Sequence, residues 1–83
     1  MVRVLFFASC RDIVGRREVE TDISSGMTVG HLKEHLIEMY PGLEGLKNVL
    51  SIAVNAEYTE DATVLNDGDE VAFIPPVSGG RSV

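Results

Sequence analysis

The stretch best suited to chemistry in this 83-residue chain lies near its end, PPVSGG at residues 75–80. Pro75 and Pro76 lack an N–H and hold φ fixed, so they stop a sheet and stiffen an extended exit from it. Gly79 and Gly80 carry no side chain, which lets backbone slide into a narrow channel. Those six residues reach about 20 Å at ~3.3–3.6 Å each. A slim segment of that length can carry its end deep into a pocket of another protein. The plainer alternative is a frayed terminus.

Other constellations carry less. His31 and His35 stand i, i+4, a spacing that can chelate a metal, but Glu34 and Glu38 lie nearby and the pair falls opposite the apolar stripe of its helix. A solvated helix face is the simpler reading, and no metal site is expected. A single cysteine, Cys10, excludes an internal disulfide and a multi-thiolate zinc site; it reads as a small, partly buried residue rather than a reactive thiol. Gly26, Gly30, Gly42 and Gly45 have neither the spacing of a phosphate-binding loop nor its lysine. No Ser-His-Asp or Cys-His set has supporting spacing, and so short a chain cannot wall a sugar cleft around paired carboxylates. A stand-alone enzyme is not expected.

Length and charge narrow the classes further. A chain of this size holds one two-layer core, and 45 % hydrophobic with 24 % charged residues describes a folded domain. No apolar run approaches the ~18–20 residues of a membrane span, and the expected location is the reducing cytoplasm. Residues 1–47 carry seven acids and six bases, whereas residues 48–80 carry six acids and no base. The net charge of −6 repels nucleic acid and anionic lipid and steers the chain toward basic partners.

The elements that must position the tail follow from periodicity. Residues 2–8 (VRVLFFA) form an apolar β-branched and aromatic run that reads as a strand, with Val4 and Phe6 on one face and Leu5 and Phe7 on the other. Residues 9–15 read as a turn or short helix closed by Gly15, and residues 16–23 as a second strand. Thr28 is the N-cap of a helix running to about Met39, whose Val29, Leu32, Leu36 and Tyr40 make a narrow apolar stripe. Pro41 and Gly42 stop it. Residues 43–50 are irregular or a helical turn, residues 51–55 a short strand, residues 57–61 a polar hairpin-like stretch, and residues 70–74 (EVAFI) the last strand after an Asn-Asp-Gly-Asp turn. One main helix on a mixed four- to five-stranded sheet is the β-grasp arrangement, an α+β fold. The division is a domain over residues 1–74 and a flexible tail over 75–83. The helix covers one sheet face, so Leu5, Phe7, Ala72 and Ile74 form an outward apolar patch if the first and last strands are neighbours, and such patches mark docking surfaces.

VLFFASCRDIVG at residues 4–15, NDGDEVAFIPPVSGG at residues 66–80 and the spacing between them resemble the small subunit of molybdopterin synthase, a ubiquitin-like sulfur carrier. The resemblance spans residues 2–80. It implies that the terminal glycine carboxylate, here Gly80, is adenylated with ATP by an E1-like adenylyltransferase and converted to a thiocarboxylate by a sulfur donor. The loaded tail then enters the large synthase subunit, where sulfur passes to cyclic pyranopterin monophosphate. It further implies that Phe7, Tyr58 and Ile74 form a docking patch, that Arg11 is a charged contact to the activating enzyme, and that the synthase is a heterotetramer; Pro75 and Pro76 are expected to bind the partner as well, and Gly79 to give the tail access. The chain itself would bind no cofactor; ATP belongs to the activating enzyme.

Arg81-Ser82-Val83 follow Gly80, where most members of that family stop. With them attached the Gly80 carbonyl is an amide, with no carboxylate to adenylate. A processing protease, a remnant of a longer or engineered fusion, and a member that keeps the fold without the chemistry are the open explanations. Protein modification through Gly80, and sulfur donation to thiamine or tRNA, are the alternative functions.

Overall fold

Val2, Val4 and Phe6 are buried along β1 (Val2–Phe6), while Arg3 between them is exposed and Leu5 half-buried. That alternation orients the first strand, and the others follow it. The computed structural model describes residues 1–76. After β1 come α1 (Ala8–Val14), β2 (Glu18–Thr21), α2 (Val29–Met39), a 3₁₀ helix (Pro41–Leu46), β3 (Ser51–Val54), β4 (Glu57–Tyr58) and β5 (Glu70–Ile74). The strands form one five-stranded sheet in the order β2-β1-β5-β3-β4. The first and last strands are parallel neighbours at its centre, with Val4 opposite Val71 and Phe6 opposite Phe73. The other three pairings are antiparallel. The β-grasp expectation holds, with five strands.

The core lies between one sheet face and the helices. Val4, Phe6, Ile52, Val71 and Phe73 come from the sheet, and Val29, Leu32, Leu36 and Ile37 from α2. Phe6 meets both Phe73, at 5.7 Å between ring centroids, and Tyr40, at 6.1 Å, each edge to face at 74°. Each such contact adds about 0.5–1.5 kcal/mol beyond burial of area. The helix stripe is wider than expected: Ile37 joins it and Tyr40 is only half-buried. Cys10 is completely buried rather than partly so.

Every N–H of the first turn of α2 has a partner. The Thr28 Oγ1 accepts from the His31 N–H at 3.2 Å, and the Thr28 N–H donates to His31 Nδ1 at 3.3 Å, a reciprocal capping box. The Val29 and Gly30 N–H groups donate to the carbonyls of Thr63 and Asp61 at 2.8 and 2.9 Å, and the Leu32 N–H to Thr28 O at 3.0 Å. A Cβ on Gly30 would stand 3.1 Å from that of Asp61, so the absence of a side chain permits this close approach. His31 thus caps its helix, and His35 is exposed with it on the solvated face.

Candidate functional site

Helices cover one face of the sheet, and the opposite face is where the outward residues gather. The registers align Glu18 with Leu5, Leu5 with Ala72, Ala72 with Ala53, and Ala53 with Tyr58. This single rung crosses all five strands, from a carboxylate at one edge to an aromatic ring at the other. Two alanines in its middle make a shallow floor between the larger Leu5 and Tyr58. Ala72 and Ile74 are half-buried, and Tyr58 is 74 % exposed.

Two residues expected on β1, Phe7 and Ala8, lie beyond it. Phe7 is the N-cap of α1 and Ala8 has φ 48°, so the chain leaves the strand after Phe6 and turns into the helix. The Phe7 N–H still donates to Phe73 O at 3.2 Å, which keeps Phe7 beside the end of β5. A large apolar ring that stays 45 % exposed on a small domain suits contact with another molecule. Phe7 and Arg11 line one open cleft of about 360 Å³ with Leu5, Phe6, Arg17 and Glu18. Tyr58 does not join them. It sits on the edge strand, three strand spacings from β1, or about 14 Å at ~4.8 Å per spacing. The expected patch is therefore a stripe, tied together by the alanine floor.

Along its strands the open face has a polar end and an apolar end. Arg3 donates to Glu70 on the neighbouring strand, and the Asn55 side-chain amide bridges Asp69 Oδ1, at 2.9 Å, and the Glu70 N–H, at 3.0 Å. Asp69 also accepts from the Asn66 N–H at 2.8 Å, which pins the turn before β5. At the opposite end Ile74 closes β5, Pro75 is buried and Pro76 exposed. Only the second proline presents surface to a partner. Gly79 and Gly80 lie outside the described residues.

Sequence reading missed Ala53 and Arg17 as parts of this surface. Ala53 is legible only once β3 is registered against β5, because Ile52 and Ala53 are both buried and alternation is blurred. Arg17 was placed on β2, but it precedes the strand, and its carbonyl accepts from the Phe6 N–H at 2.9 Å. Burial pushes the Cys10 thiol above its ordinary value, which favours the unreactive protonated form. Among the described residues no three His, Cys, Asp or Glu side chains are placed to hold a metal ion, and no helix is long and apolar enough to cross a membrane.

A family profile described as the ThiS family matches residues 4–80. This chain is a member of the ThiS family. Within that family it is 44 % identical over 82 residues to a molybdopterin synthase sulfur carrier subunit from Mycobacterium tuberculosis, covering 95 % of this chain and 96 % of that one. The ThiS-family chain is also similar in structure to SAMP1 from Haloferax volcanii, with a TM-score of 0.85, 30 % identity and coverage of 95 % and 98 %. A complex of subunits 1 and 2 of the molybdopterin-converting factor from Helicobacter pylori holds a further similar chain, with a TM-score of 0.69, 26 % identity and coverage of 95 % and 97 %. The family membership accounts for the shared fold and for a match that extends through Gly80.

Proposed function

We propose that this chain is the sulfur carrier subunit of a molybdopterin synthase, acting through Gly80 once that residue is terminal. The observation that carries the reading is the family match running to residue 80, on a chain 44 % identical to a named sulfur carrier subunit. The chemistry asks for no acid–base site on the carrier. A free carboxylate is a poor electrophile, since its charge repels an incoming sulfur nucleophile. Attack of the Gly80 carboxylate on the α-phosphorus of ATP forms an acyl-adenylate and releases pyrophosphate. A sulfur donor then displaces AMP and leaves a thiocarboxylate, so one hard substitution becomes two easier ones. The carrier supplies a positioned carbonyl. Its partners supply the proton-transfer groups and the donors that stabilise developing negative charge.

In this proposal Phe7, Tyr58 and Ile74 dock on the partner, Arg11 meets the activating enzyme, and Pro76 directs the tail away from the sheet. Gly79 and Gly80 enter the partner's channel, and the large subunit pairs with the carrier in a heterotetramer. Arg81-Ser82-Val83 must first be removed by hydrolysis of the peptide bond after Gly80. The test is intact mass after incubating chains 1–80 and 1–83 with activating enzyme, ATP and a sulfur source. The shorter chain gains the mass of one oxygen-for-sulfur exchange and the longer chain does not. Equal gain by both, or gain by neither, contradicts the proposal.

A second reading, a modifier joined through Gly80 to lysines of other proteins, is favoured by the similarity to SAMP1 chains, one of which is described as a small archaeal modifier protein. Adducts carrying an isopeptide bond to Gly80 distinguish it.

A further inference from the structure

Three of the seven basic residues of this acidic chain, Arg11, Arg16 and Arg17, fall at one corner of the fold. Arg11 is on α1, Gly15 ends that helix at φ 83°, and Arg16 and Arg17 follow in the turn back to β2. The turn is held at both ends. The Gly15 N–H donates to Arg11 O at 2.7 Å, and the Arg17 carbonyl accepts from Phe6 at 2.9 Å. All three side chains are exposed. The ion pairs among the described residues are Met1 with Asp67, Arg3 with Glu70 and Lys33 with Asp61, so none uses an arginine of this corner.

The corner is grooved. The cleft already described, with Leu5 and Phe7 at its apolar end, shares Arg11 and Arg17 with a second of about 320 Å³ that runs on to Asp12, Gly15 and Arg16. Asp12 and Glu18 also line the groove, so three guanidiniums stand against two carboxylates. The corner is a positive spot on a molecule of net charge −6.

We propose that this groove docks an extended acidic segment of a partner protein, with an aliphatic or aromatic side chain as its anchor. The anchor seats beside Leu5 and Phe7, and carboxylates downstream of it meet Arg17, Arg11 and Arg16 in turn. Guanidinium forks pair with carboxylates through parallel hydrogen bonds, which adds direction to the attraction. The acidic remainder of the surface repels the same segment everywhere else, so the charge distribution selects one orientation. Long nucleic acids suffer that repulsion along their whole length. The apolar end of the groove gives a small inorganic anion nothing to bind. Phe7 lies beside the end of β5, so the groove opens where the tail departs; that the segment belongs to the protein receiving the tail rests on the carrier reading, whereas the groove does not.

The test is a nitrogen-15 NMR titration of the whole chain with a synthetic peptide of one phenylalanine followed by alternating glutamate and aspartate. Shifts concentrated at Leu5, Phe7, Arg11 and 15–17 are expected, with a Kd of about 0.1–1 mM. In the Arg16→Glu/Arg17→Glu chain, affinity falls about tenfold or more, and Arg16→Gln/Arg17→Gln falls between. An unchanged spectrum outside the corner confirms that both variants are folded. Absent shifts, shifts centred on Tyr58 or the 66–70 turn, or equal affinity in the charge-reversed chain overturn the proposal. So does inorganic pyrophosphate producing the same shifts at equal strength, which makes the corner a small-anion site. No sulfur chemistry enters the titration, so its failure leaves the carrier reading to the mass measurement.

Discussion

Phe7 shows how a single backbone angle leaves a large apolar ring open to solvent at the end of a strand. Alternation along β1 points it away from the core, and the positive φ of Ala8 then takes the chain off the sheet so that no neighbouring strand covers the ring. Truncation should therefore harm association more than folding. Phe7→Ala is expected to weaken binding to a molybdopterin synthase large subunit about 10- to 100-fold, the range of an aromatic anchor, with little change in the urea midpoint. Isothermal titration and urea melts on the same preparation check the two halves of that statement. Cys10 behaves in the opposite way, serving the fold alone. Its thiol is raised above the ordinary 9.0 by burial, so the folded chain keeps a proton that the unfolded chain loses. The stability tied to that proton is complete below the unfolded value and is lost as pH rises through the folded one. Urea melts from about pH 7 to about pH 10 should show a decline that Cys10→Ala flattens, whatever the variant's absolute stability.

At the scale of elements, the turns show where local rules were obeyed and where they were bent. The β3–β4 hairpin turns on Asn55 and Ala56, at φ 52° and 73°, the left-handed pair that favours Asn-Gly. Alanine pays for its Cβ there, and Ala56→Gly should stabilise the chain by about 0.5–1 kcal/mol, measured as a higher thermal midpoint with function unchanged. Much of the architecture was legible in sequence because local signals agreed with one another. Thr28, Val29, Leu32, Leu36 and Pro41 bracket α2 without help from tertiary structure, and VRVLF and EVAFI alternate cleanly. The site was legible in part. Leu5, Phe7, Ala72 and Ile74 point outward by alternation alone. The pairing of β1 with β5 joins residues almost seventy positions apart, which no local pattern encodes. His31 lies on the exposed helix face, where its sequence position put it; its capping role, with Nδ1 accepting from the Thr28 N–H, depends on a side-chain conformation that spacing does not specify. Arg17 was hidden by a strand boundary that lies two residues later than expected, at Glu18.

At the scale of the whole molecule, the division of labour is spatial. The core lies on the helix side of the sheet, the acidic turn at 66–70 occupies one end of the open face, and Phe7 and Ile74 occupy the other, where β5 runs out into Pro75 and Pro76. A carrier needs that separation, because a docking surface beside the tail sets its entry direction while the rest of the surface repels unwanted partners. In the proposed function the fold acts as a handle for the short extension that carries Gly79 and Gly80. The claim on which this depends is that Gly80 delivers sulfur to the pterin. The direct measurement is single-turnover conversion of cyclic pyranopterin monophosphate by a molybdopterin synthase large subunit supplied with the thiocarboxylated 1–80 chain. Because a dithiolene needs a pair of sulfurs, the product formed should equal half of the thiocarboxylate consumed, with the spent carrier recovered as the plain Gly80 carboxylate. Product formed at the same rate with unloaded 1–80 chain, or thiocarboxylate consumed without product, would contradict it.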